Sequence, residues 1–211
     1  PVIMKLEGGG DREAMINLTL ASCRYSFFLY MIVAAPFLMN TEYLLRFWLH
    51  KVPAWAVLFC QLQVIRTLFE QLFTPLRTAL VAQGSIKSLN LSELVLGILT
   101  LGMLGIFYYL GAQPAWHYYI SIALLVFVSG GIKVYLGARK CNLSIKKYVK
   151  SVIIRIVLYC GVLTLYYKLW NYWKITDTIY SLAFQFVIIV FISGCFALSQ
   201  DEMKLIKKYF K

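Results

Sequence analysis

The chain has 211 residues, of which 61% are hydrophobic and 14% charged, and its formal net charge is +12. Soluble domains carry about 45–50% apolar and about 25% charged residues, so this composition excludes a disordered chain, a collagen-like repeat, a disulfide scaffold and an ordinary water-soluble globule. What remains is an all-α polytopic membrane protein. Its excess of Lys and Arg, concentrated in short stretches between apolar runs, is a topology signal and implies no nucleic-acid partner.

Residues 1–17 are polar and Gly-rich, with Gly8-Gly9-Gly10-Asp11 as a turn, and form a cytoplasmic segment. They lack the charged start and apolar run of a secretory signal. Because the first residue is Pro1 and not Met, the chain is expected to be a processed product, a truncation or a piece of something longer.

A span needs about 20 mostly apolar residues at 1.5 Å rise per residue. Six runs meet that need: residues 18–39, 54–82, 94–111, 116–138, 152–169 and 179–198. Most lack strict alternation, which argues for helices over strands. Gly111-Ala112-Gln113-Pro114 reads as a tight turn joining the third and fourth runs into a hairpin. The transmembrane unit is therefore 18–199, followed by a basic cytoplasmic tail at 200–211.

Loop charge orients the spans. With the N-terminus inside, twelve Lys and Arg fall in cytoplasmic stretches, against four (Arg46, Lys51, Lys168 and Lys174) on the opposite side. That bias places both termini in the cytoplasm. Trp48, Trp55, Trp116, Trp170 and Trp173 then fall near the outer boundary, as an interfacial belt would. Residues 42–50 and the basic amphipathic stretch 203–211 suit the membrane interface, the latter against anionic lipid, or else are solvated ends of longer helices.

Five basic residues lie inside spans or at their margins: Arg24, Arg66, Arg77, Lys133 and Arg155. Arg24, Lys133 and Arg155 are close enough to a cytoplasmic end to snorkel, and snorkelling is the favoured reading for the last two. Arg66 and Glu70 are near the middle of the second span, where a charge costs about 2.5–3.5 kcal/mol on insertion scales. Gln63, Arg66, Glu70, Thr74 and Arg77 recur at the spacing of a single helical stripe. The favoured reading is a polar cavity wall, to which Arg24 is added. The alternative is a structural Arg66–Glu70 pair in a packed bundle, which leaves Gln63 and Arg77 without partners. Pro36 in the first span and Pro75 in the second are candidate hinges, or harmless kinks.

No catalytic, cofactor or metal set is evident. His50 and His117 are isolated at outer boundaries, no paired-carboxylate motif occurs, and Glu70 is read as the one mid-membrane acid. Cys23, Cys60, Cys141, Cys160 and Cys195 are odd in number and irregular in spacing, and read as small apolar residues. An enzyme is not expected.

Several segments resemble the C-terminal part of bacterial oligosaccharide-repeat-unit flippases, the Wzx-like O-antigen and capsule translocases of the multidrug/oligosaccharidyl-lipid/polysaccharide exporter superfamily. Pro1-Val2-Ile3 with Gly10-Asp11 is similar to a cytoplasmic P-Q-I…G-D segment, with Val2 in place of Gln. The stretch Cys23-Arg24-Tyr25-Ser26-Phe27-Phe28-Leu29 resembles S-R-F-S-F-F-L, with Cys23 in place of Ser. Trp48-Leu49 with Val52-Pro53 resembles W-L-x-x-V-P. Pro75-Leu76, Thr78-Ala79, Ala82, Gly84 and Ile86-Lys87 resemble P-L-x-T-A-x-x-A-x-G-x-I-K. Arg77 falls at a variable position of that pattern. The likeness covers residues 1–90, and beyond them extends only to the hydrophobic layout and the basic loop at 139–150. It implies that this chain supplies roughly one lobe of a two-lobe transporter in the bacterial inner membrane. The partners it implies are membrane lipid, a missing N-terminal lobe and an undecaprenyl-pyrophosphate-linked oligosaccharide, moved by rocking of the lobes. A drug or metabolite exporter of the same superfamily, and a non-transporting scaffold or truncated remnant, are the alternatives.

Overall fold

The computed structural model describes residues 2–49, 51–111, 115–172 and 179–197. The described residues are helical throughout apart from short turns and loops, with no strand among them. The basic tail, the turn at residues 112–114, Trp173 and His50 lie outside them.

A short helix, α1 (Val2–Gly8), opens the chain. It ends where Gly10 takes φ +80, Gly10 N–H bonds Glu7 O at 3.0 Å and Asp11 N–H bonds Leu6 O at 3.1 Å. That left-handed closure is the glycine-specific helix stop. Asp11 then caps α2 (Arg12–Met39), its side chain accepting from Ala14 N–H at 3.0 Å. The first membrane helix thus starts before the apolar run does, because a side-chain cap needs only the backbone that follows it.

Chain order continues through α3 (Thr41–Leu49), α4 (Ala56–Glu70), α5 (Thr74–Ala82) and α6 (Ile86–Tyr109). Helix α7 (Ala115–Ser121) runs through a π-helical stretch, Ile122–Val128, into α8 (Ser129–Lys140). Helix α9 (Ile145–Tyr148) runs likewise through Val149–Ile153 into α10 (Ile154–Tyr172), and α11 (Ile179–Ala197) follows. Among the described residues, five helices are long and apolar enough to cross a membrane: Arg12–Met39, Ala56–Ala82, Ile86–Tyr109, Tyr119–Lys140 and Ile145–Trp170. The sixth expected span corresponds to α11, whose stretch Ser181–Phe196 is apolar but shorter. The protein is all-α and built to be embedded in a membrane.

Helix α2 is the hub. Leu20, Cys23, Phe27, Phe28, Met31, Ala34 and Ala35 recur along it at helical spacing and are buried. They meet Leu68, Leu72 and Leu76 of the second span on one side and, on the other, Val152 of the π-helical stretch before α10, Ile156, Tyr159 and Leu163 of α10, and Ile189 of α11. Phe28 packs edge-on against Tyr159 with ring centroids 4.9 Å apart. Outer faces are apolar too. Leu91, Leu94, Ile98, Leu101 and Ile106 of α6, and Val157, Leu158 and Leu165 of α10, are exposed, as lipid-facing residues must be.

Trp48, Trp55 and Trp116 are exposed, in keeping with an interfacial belt. Trp170 departs from that expectation. It is buried, with its ring against Tyr166 and Phe184 at 5.9 and 6.2 Å, so it is a packing residue. Helix α3 exposes Phe47 and Trp48 while burying Leu45, the two-faced pattern of an interfacial segment. At the opposite, basic end, Arg139, Lys140, Lys146, Lys147 and Lys150 are exposed. There Lys147 Nζ bonds Asn17 Oδ1 at 2.6 Å, and Gln83 Nε2 donates to Lys140 O. Cys141 is buried nearby, and burial first, then the Glu7 carboxylate, pushes its thiol above the usual range.

Candidate functional site

The second span is not one straight helix. Residues 71–73 form turns between α4 and α5, and Pro75 falls in the first turn of α5, where a missing N–H is tolerated. The exposed backbone is re-satisfied locally and from across the bundle. Thr74 Oγ1 donates to Glu70 O at 2.9 Å, and Phe73 N–H bonds the same carbonyl at 3.0 Å. The Tyr148 hydroxyl donates to Leu72 O at 3.2 Å. Membrane helices tolerate such breaks only where neighbours supply these bonds. The Phe73 ring lies against Gly130 of α8, where an added Cβ would come within 2.5 Å of it. The glycine thus permits the close approach of α8 to the break.

The five-residue stripe lies on one face of this broken span. Leu68, Leu72 and Leu76 on the opposite face are buried against the core, whereas Gln63, Thr74 and Arg77 are exposed and Arg66 and Glu70 half-buried. Arg66 Nε is 3.1 Å from Glu70 Oε1, and the two side chains keep 28% and 40% of their accessible surface. Among the described residues, the two Nη groups of Arg66 make no hydrogen bond. The guanidinium fork is held by one edge and open at the other.

Arg77 is not without a partner. Its Nε and Nη2 lie 3.2 and 3.5 Å from the two carboxylate oxygens of Glu93 on α6. Lys133 of α8 completes the cluster, with Nζ 3.2 Å from Glu93 Oε1. Lys133 therefore does not snorkel. It turns inward and retains only 15% of its side-chain surface. Glu93 escaped the sequence reading because the apolar run begins at Leu94, while the helix begins at Ile86. The cue that could have found it was an acid one residue from a span margin, facing two unexplained basic residues on other spans.

Between the two ion-pair clusters lies a cavity of about 150 Å³, lined by Glu70, Phe73, Thr74, Leu125, Val126 and Lys133. At about 30 Å³ per water it has room for several solvent molecules or one small polar group. Counting formal charges, Arg66, Arg77 and Lys133 against Glu70 and Glu93 leave the cleft one positive charge in excess. No group of three or more His, Cys, Asp or Glu suited to a metal ion occurs among the described residues.

Comparisons with protein-family models, curated proteins and solved structures give no match. The site must therefore be read from its own chemistry.

Arg24 is apart from the cleft. It is buried on α2, its guanidinium 5.2 Å from the Tyr25 ring centroid, and it does not line the cavity. Pro36 is buried three residues before the end of α2, which Asn40 closes. Asn40 donates to Pro36 O through N–H at 3.1 Å and through Nδ2 at 2.9 Å. The same Nδ2 also donates to Gln185 Oε1 on α11 at 2.6 Å. Of the two candidate hinges, Pro75 thus borders an actual helix break, while Pro36 lies in a continuous helix tied at its end to α11.

Proposed function

We propose that this chain forms one lobe of a two-lobe transporter of the bacterial inner membrane, with both termini cytoplasmic, that moves a pyrophosphate-linked oligosaccharide between leaflets without chemical conversion. The observation that carries the reading is the open edge of Arg66. A guanidinium in mid-span is expensive to hold there, and here Glu70 bonds its Nε while the two Nη groups make no hydrogen bond among the described residues. Those donors suit an anionic phosphoryl oxygen, and the exposed stripe suits a water-filled path bordered by a second lobe. The resemblance of residues 1–90 to oligosaccharide flippases supports the choice of substrate, and the excess of Lys and Arg at one end supports the orientation.

A structural role for the Arg66–Glu70 pair is the competing reading, and the 3.1 Å contact favours it. Surface polysaccharide export by the whole transporter, normalised to protein in the membrane, separates the two. Under the transport reading, Arg66→Ala loses nearly all export, Arg66→Lys keeps part of it, and Glu70→Gln is intermediate. Under the structural reading, Arg66→Leu combined with Glu70→Leu restores both protein level and export, as neutral replacement of a buried pair often does. Full export from the double-leucine variant would reject Arg66 as a substrate contact.

A further inference from the structure

We propose that the cavity between Glu70 and Lys133 is a second anion subsite, in which Lys133 binds a phosphoryl group and Glu93 is the internal anion it leaves to do so. The inference rests on the cleft facing an anionic substrate, and adds to it a residue and a regulatory contact.

The argument is one of charge allocation. Glu93 is already served by Arg77 through two nitrogens, one to each carboxylate oxygen, at 3.2 and 3.5 Å. This is the fork-to-carboxylate match that makes arginine pairs strong. Lys133 reaches the same Oε1 through one contact at 3.2 Å. A single carboxylate thus faces two cations, and its one negative charge is matched by Arg77 alone. Lys133 carries the surplus charge of the cleft. It is also the cation that lines the cavity; Arg66 and Arg77 do not. A largely desolvated ammonium with an oversubscribed partner, beside an unfilled space, is the condition under which an incoming anion gains most.

The rest of the lining fits a phosphoryl group. The Thr74 hydroxyl donates to Glu70 O at 2.9 Å, and rotation about its C–O bond turns that one proton to a phosphoryl oxygen, leaving Glu70 O to Phe73 N–H. Glu70 is neutralised by Arg66 at 3.1 Å, so it does not repel an anion at full strength. Phe73, Leu125 and Val126 complete the walls of the cavity, whose accessible lining is mostly polar. Lys133 can pivot from Glu93 to a ligand by side-chain rotation alone, leaving Arg77 to hold Glu93 and keep α5 and α6 joined.

Binding of inorganic pyrophosphate to the purified full chain in detergent, read by calorimetry, tests this. Lys133→Gln should weaken binding at least about tenfold, the loss of one charge-assisted contact. Lys133→Arg, which keeps the charge, should retain most of it and guards against misfolding as the cause. Glu93→Gln should tighten binding, because Lys133 is no longer held by a carboxylate. If Lys133 and Glu93 serve only to join helices, Glu93→Gln lowers the thermal midpoint and does not tighten binding, and that result would overturn the proposal. Weakened binding in Arg66→Ala with unchanged binding in Lys133→Gln would overturn the Lys133 subsite while leaving the Arg66 reading in place; the opposite pattern would do the reverse. No binding to the unaltered chain, by either pyrophosphate or an isoprenyl pyrophosphate in the same detergent, would overturn both. Binding of the isoprenyl form alone assigns the subsite to a lipid-borne phosphate, and equal binding of the two assigns it to the phosphate group itself.

Discussion

The two sides of the second span make opposite use of the same helix. Toward α2, Leu68, Leu72 and Leu76 enter a close-packed apolar core with Phe27, Phe28 and Tyr159. Toward α6, α8 and the π-helical stretch before α8, Arg66, Glu70 and Arg77 face a cleft with a cavity of about 150 Å³ and two ion-pair clusters. In the core the joining force is dispersion and shape, which are lost when volume is removed. In the cleft it is electrostatic, and an ion pair in a low-dielectric setting can be exchanged for another anion without loss of volume. A membrane protein needs the first kind of contact to stay assembled and the second to let one helix change partners.

Three substitutions sharpen or break that contrast, from the largest expected effect to the smallest. Phe28→Ala removes a fully buried ring from the centre of the core. It should destabilise the protein by about 3–5 kcal/mol, measured as loss of the folded fraction on thermal unfolding in detergent. An effect no larger than that of a surface substitution would show that α2 is not the hub. Gly130→Ala places a Cβ against the Phe73 ring at the helix break. Overpacking of this kind costs about 1–3 kcal/mol, and the ring should swing toward the cavity. A neutral result would mean that the cleft side is slack enough to absorb a methyl group. Tyr148→Phe tests the point where the two regions meet, since its hydroxyl serves Leu72 O at the break. Loss of that bond should cost about 1 kcal/mol, with a larger increase in amide hydrogen exchange at residues 71–73 than in α2. Equal exchange in both places would show that the break is held by local bonds alone.

The candidate site was partly legible in the sequence. The stripe from Gln63 to Arg77 follows from helical periodicity, and the break at Phe73 does not disturb it enough to move these residues off one face. The Arg66–Glu70 pair also follows, because residues four apart on a helix are neighbours. The Arg77–Glu93–Lys133 cluster does not, since its members come from three helices and meet only through packing. Counting apolar residues also hid Glu93 and the first turns of α2 and α6. Such counting marks where lipid contact begins, whereas a helix begins where its backbone is capped. Arg24, a basic residue in a span, reads as a cavity candidate, and only packing shows that its side chain is buried and outside the lining of this cavity.

Composition and the length of the apolar runs were sufficient to determine the class of the protein, because hydrocarbon thickness leaves a helix of about 20 residues few alternatives. Periodicity was sufficient to determine which residues of the second span share a face. Tertiary packing alone decided which face is filled, which cation is surplus and where the cavity opens. Those outcomes depend on distances between segments far apart in the chain, and a local sequence pattern carries no information about which helices come to lie side by side.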